Sequence, residues 1–138
     1  MNNKITNIIT SITSLSLGGA IYILYRENTY IANFVERIIN ISFIRNAFSP
    51  LEYDFIKYYS IDFLWALSLS AALFALFPSK KEILPICLLV FLIGSVWELL
   101  QFFNIISGTG DIADIFMYLT AIIIAVIINI SKIKGEQK

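Results

Sequence analysis

Apolar residues gather in four long runs, and none of them alternates with the period of two that a membrane strand requires. Ile5 to Tyr25 carries no charge, although Ser, Thr and Gly are frequent in it. Ile61 to Phe77 is shorter and strongly apolar after Asp62. Ile83 to Phe103 is interrupted only by Glu98 and Gln101, and Ile112 to Ile130 has Asp114 in its first turn. A bilayer core of about 30 Å needs roughly 20 residues of helix. The pattern predicts an all-α integral membrane bundle of four transmembrane helices, 5–25, 61–77, 83–103 and 112–130, in one domain spanning 1–138. A signal peptide would also set a lysine, here Lys4, ahead of an apolar region. This region is too long, and no clear small-x-small cleavage site follows, so it is expected to remain as a span.

The connection from Arg26 to Ser60 is too long for a simple hairpin. Ile31, Phe34, Val35, Ile38 and Ile39 fall on one helical arc, with Asn33, Glu36, Arg37 and Asn40 on the other. This predicts a short amphipathic helix over 31–41, either lying at the outer membrane interface or capping the bundle through protein contacts. After Ser49-Pro50, the run LEYDFIKYYSIDF leads into the second span, and its tyrosines suit the aromatic belt at headgroup level. The turns Pro78 to Lys81 and Asn104 to Gly110 are short, so the helices they join are antiparallel neighbours. The polar tail from Lys132 to Lys138 is expected to fray.

Composition agrees with a lipid environment: 58% of residues are hydrophobic and 14% charged, against about 25% charged in soluble domains. Acidic and basic residues cancel, so no basic footprint argues for nucleic acid. Cys87 has no partner for an internal disulfide, and the absence of histidine removes His-based zinc sites and general bases. Lys4, Lys80, Lys81, Lys132, Lys134 and Lys138 flank the terminal side, against Arg26, Arg37, Arg45 and Lys57 opposite. The excess predicts cytoplasmic termini at the cell membrane.

Chemistry concentrates in WELLQFFNIISGTGDIAD, Trp97 to Asp114. A carboxyl at the bilayer centre costs roughly 2.5–3.5 kcal/mol, so an acid kept there usually has a partner or a task. Connectivity brings Asp62, Glu98, Gln101, Asp111 and Asp114 toward one membrane face. Glu98 and Gln101 share a helix face, and Gly94 lies one turn earlier on it, where a neighbouring helix can come close. Asp114, Tyr118, Ala121 and Ala125 form a comparable stripe on the last span. Asp111 reads as an N-cap and Asp114 as a favourable charge in the first turn. Glu98 is expected to bond Gln101 or a serine of the second span, Ser68 or Ser70. The oxygen-only donor set suits Mg²⁺, Ca²⁺ or Mn²⁺ rather than zinc. It also suits acid/base work by Glu98 and Asp114 on a membrane-anchored substrate, or pairing with Arg37, Arg45 or Lys57.

Glu98 and Gln101, the short turn and then Asp114 at the start of a final span resemble the VanZ-like family of small bacterial membrane proteins. The stretch DFLWALSLSAAL from Asp62 resembles that family's earlier acid before a span, and the likeness covers about half the chain, Asp62 to Ala125. Two positions differ: Gly108 stands where many members carry an arginine, and Tyr118 where many carry an asparagine. The resemblance implies an accessory role in the bacterial cell envelope, affecting susceptibility to a glycopeptide or other envelope antibiotic. Under it Glu98, Gln101 and Asp114 form the central polar site, bordered by Asp62 and Asp111. Two other classes stay open. One is an enzyme acting on a lipid-linked envelope precursor or headgroup; the other is a structural subunit docked on a membrane-protein partner.

Overall fold

The computed structural model describes residues 3–26, 29–39, 41, 43–44, 54–106, 108 and 110–133, and the described residues are overwhelmingly helical. Helix α1 runs Asn3–Tyr25, α2 Tyr30–Ile38, α3 Asp54–Leu76, α4 Ile83–Phe102 and α5 Ile112–Ile133. All of these except α2 are long and apolar enough to cross a membrane, over Asn3–Tyr25, Tyr58–Leu76, Lys80–Phe102 and Ile112–Ile130. The chain is a multi-pass membrane protein. Ser49-Pro50, Arg45 and the tail from residue 134 lie outside the described residues, as does the side chain of Lys57.

Helix α3 is the hub, packing against α1, α5 and α4. Its sequence explains why: Ala66, Ser68, Ser70, Ala71 and Ala75 are small and buried, so neighbouring backbones approach closely. The other side of the α1–α3 contact is equally lean. Asn7, Ser14 and Gly18 are the buried residues of α1, and a Cβ at Gly18 would stand 3.3 Å from Leu64 Cβ. The core joins Ala66, Leu67 and Phe74 of α3 to Ile86 and Val90 of α4 and to Tyr118, Ala121, Ile122 and Ala125 of α5. Larger side chains such as Leu84, Leu88, Leu92 and Ile123 point away from it. Lipid is as apolar as leucine, so close packing of small residues, not expulsion of water, holds such a bundle together.

Helix α2 stops at Ile38, short of the expected 41, and α3 starts ahead of its expected bound. Helix α3 begins at Asp54 rather than Ile61, because the aromatic run ahead of the span continues the helix. Asp62 therefore lies about two turns inside α3 instead of near its start. Helix α4 is led in by a 3-10 turn, Lys80–Glu82, in which Ser79 Oγ accepts the Lys81 N–H at 3.3 Å. Pro85 then occupies the first turn of α4, where a missing N–H costs no intrahelical bond.

The end of α4 is closed by an Asn104 in the left-handed region, φ 56°. The Asn104 N–H donates to Gln101 O at 2.9 Å and the Ile105 N–H to Leu100 O at 2.9 Å, the paired bonds of a Schellman cap. This cap turns the chain back over α4 and delivers Asp111 to the start of α5.

Candidate functional site: a carboxyl cluster at one end of the bundle

Glu98 is only 4% exposed although it stands in an apolar helix about one turn before the end of α4. Both of its carboxyl oxygens are engaged. Oε1 accepts the Tyr118 hydroxyl at 2.8 Å, and Oε2 accepts the backbone N–H of Asp111 at 3.2 Å. The expected partners are engaged elsewhere or empty-handed: Ser68 Oγ donates to Ser11 O at 2.9 Å, while Ser70 Oγ has no hydrogen-bond partner among the described residues.

Glycines make these two bonds possible. A Cβ at Gly94 would come within 2.5 Å of the Tyr118 ring, so that ring lies directly across α4 one turn below Glu98. A Cβ at Gly110 would come within 2.7 Å of Glu98 O and Phe102 N, so the returning chain presses against the α4 backbone. That contact carries the Asp111 N–H to Glu98. Gly108, at φ 146°, has a conformation that suits glycine, and the Gln101 side chain lies where its Cβ would be. Gln101 is thus placed over the turn, and the hydrogen bonds described for Glu98 do not go to it.

The other acids approach from two more helices. Tyr118 Oη also reaches Asp62 Oδ1 of α3 at 3.2 Å, so one phenol links the carboxyls of α3 and α4. It carries one hydroxyl hydrogen, and the shorter contact is to Glu98. Asp114, half-buried at the start of α5, is close enough to Asp62, Glu98 and Asp111 for their charges to act on it. Its Oδ1 is shielded and has no hydrogen-bond partner among the described residues. Asp111 has the capping role read from its position: Oδ1 accepts the Ala113 N–H at 2.9 Å. Its other oxygen accepts from Tyr59 at 3.2 Å.

Arg26, exposed just past the end of α1, lies near enough for its charge to act weakly on Asp62 and Asp114. Of the cations read from the sequence as partners, Arg45 and the Lys57 side chain lie outside the described residues, and no bond from Arg37 to these acids is among the described contacts. The signal for Arg26 was present, since a charge immediately after the first span lies at the membrane face that the acids share. Tyr118 and Tyr59 were also missed as site residues, although Tyr118 is one helical turn from Asp114 on the same face.

The arrangement offers carboxyl oxygens from α3, α4 and α5 and the phenols of Tyr118 and Tyr59, with the Arg26 charge nearby. It can accept hydrogen bonds from a cationic or hydroxyl-bearing group at the membrane boundary. Among the described residues no group of three His, Cys, Asp or Glu side chains is disposed to hold a metal ion. Comparison with protein-family models, with curated proteins and with solved structures gave no match to this chain.

Proposed function

We propose that this chain is a VanZ-like accessory protein of the bacterial cell envelope, with the carboxyl cluster as its working site. One observation carries the reading. Glu98 is buried among apolar residues, yet both its oxygens are held by groups from the far side of the turn. A carboxyl so placed is costly, which makes it a candidate for a functional role, and its neighbours Asp62 and Asp114 come from different helices. In this reading the cluster receives a polar group of an envelope component or of a glycopeptide antibiotic at the membrane boundary, and Arg26 balances part of its charge. The termini are cytoplasmic, so the cluster faces outward; a cysteine at Lys81 should then resist labelling from outside intact cells.

The test is expression in a susceptible bacterium. Wild-type protein should lower teicoplanin susceptibility severalfold, and Glu98→Gln should abolish the effect at an equal level of membrane-inserted protein. No effect of the wild type on any envelope antibiotic would sink the proposal.

Asp114 Oδ1, shielded and without a hydrogen-bond partner among the described residues, favours a second reading, an enzyme acting on a lipid-linked precursor or headgroup. Asp114 would hold or move the proton and Glu98 would orient it. Purified protein should convert an envelope lipid fraction, and Asp114→Asn should stop that turnover. Running the assay with added Mg²⁺, added Ca²⁺ and chelator decides whether either ion takes part.

A further inference from the structure

Helix α2 has three faces where an ordinary surface helix has two. Ala32, 3% exposed, is its buried residue, and α2 packs on α1. Ile31, Phe34 and Ile38 are 57%, 63% and 67% exposed. At about 100° per residue these three share an arc roughly 120° from Ala32. Asn33 and Arg37, both exposed, occupy a third arc roughly as far again. A helix resting its apolar face on a protein core would show the opposite order, with the large apolar side chains buried.

The neighbours of α2 bear on what meets the exposed apolar arc. Helix α1 ends at Tyr25 and α2 begins at Tyr30, so a short link holds α2 at the level where a spanning helix leaves the membrane. Thr29 fixes that start, its Oγ1 accepting the Ala32 N–H at 3.2 Å. Beyond α2, Ile41 is 4% exposed and ties the chain back to the protein. A second copy is a poor occupant: stable pairs bury about 1,200 Å² or more, and this arc is three side chains on a helix of nine residues. Lipid needs no such area, because it already surrounds the span from which α2 emerges.

We infer that α2 lies in the plane of the membrane interface, one flank against α1, with Ile31, Phe34 and Ile38 inserted among the upper acyl chains. Asn33 and Arg37 then face the headgroups, where the guanidinium meets lipid phosphate. The docking partner of this surface is the phospholipid layer itself.

Single cysteines at Phe34, Ile38, Asn33 and Arg37, in a Cys87→Ser background, test this after bimane labelling. The protein is reconstituted in phosphatidylcholine–phosphatidylglycerol vesicles. Lipids with a nitroxide high on the acyl chain should quench labels at 34 and 38 severalfold more than those at 33 and 37. Aqueous iodide should give the reverse order. Equal quenching on both arcs overturns the inference, and so does shielding of 34 and 38 from lipid and iodide alike, as packing of a second copy would produce. All four positions are exposed, so the labels do not disturb the packed bundle.

Discussion

The two ends of the bundle bury polar groups in different ways. At the end near the chain termini, Asn7 and Asn129 are both almost fully buried, and Asn7 Nδ2 donates to Asn129 Oδ1 at 3.2 Å. Asn3 adds a longer contact to Asn129 O at 3.5 Å. This is a neutral amide pair that ties α1 to α5, with no charge to compensate. At the other end, the Tyr118 phenol links Asp62 and Glu98, Tyr59 bonds Asp111, and Asp114 lies within the field of the other three acids. Among the described residues one shielded oxygen is without a hydrogen-bond partner at each end, Asn3 Oδ1 and Asp114 Oδ1. The amide pair reads as an interhelical fastening. The acid end instead gathers carboxyls from three helices, and the proposed site rests on that gathering.

Substitutions sharpen this contrast, and the largest effect is expected where a helix-helix approach depends on a glycine. Gly94→Leu would drive a side chain into the Tyr118 ring and should destabilise the fold by about 1–3 kcal/mol or more through overpacking. Unfolding in mixed detergent micelles measures it; unchanged stability would mean that the ring does not lie across α4. Tyr118→Phe keeps the ring but removes the hydroxyl shared by Glu98 and Asp62. A loss of about 1–3 kcal/mol is expected from leaving a buried acceptor unpaired, together with the loss of the resistance effect proposed above.

Smaller effects follow at the caps and at the amide pair. Asp111→Ala removes the N-cap of α5 and should cost about 1 kcal/mol, whereas Asp111→Asn should retain most of it. A double-mutant cycle on Asn7→Leu and Asn129→Leu should give a coupling of only about 0.6 kcal/mol, the average for interhelical hydrogen bonds in lipid. Those leucines should leave any activity of the acid end untouched. If they abolish it while the protein stays folded, the two ends are one system and the contrast fails.

How much of this was legible in advance varies with the residue. The four spans and the antiparallel order of α3, α4 and α5 followed from hydropathy and short turns, the N-cap at Asp111 from its residue type and position, and the close approach at Gly94 from its size. The position of Asp62 within its helix did not, because an aromatic run such as FIKYYS is compatible with an interfacial strap or with a longer helix. The partners of Glu98 were also hidden. Serines looked suitable by type, but Ser68 faces α1, and the donors come from Tyr118 and from a backbone N–H delivered by Gly110. The amide pair was invisible for a related reason. Asn7 and Asn129 are 122 positions apart, and neither departs from its span enough to suggest the other.

Sequence by itself determined which segments must enter lipid, because the cost of leaving water is summed residue by residue along each helix. It also fixed the membrane boundary to which the acids belong, since connectivity alternates from span to span. Tertiary structure alone decided which oxygen meets which hydrogen, which cation stands nearby and which residue of α2 is buried. Those choices depend on helix rotation and on glycine-sized gaps between helices, where a shift of an ångström breaks a hydrogen bond while hydropathy stays the same.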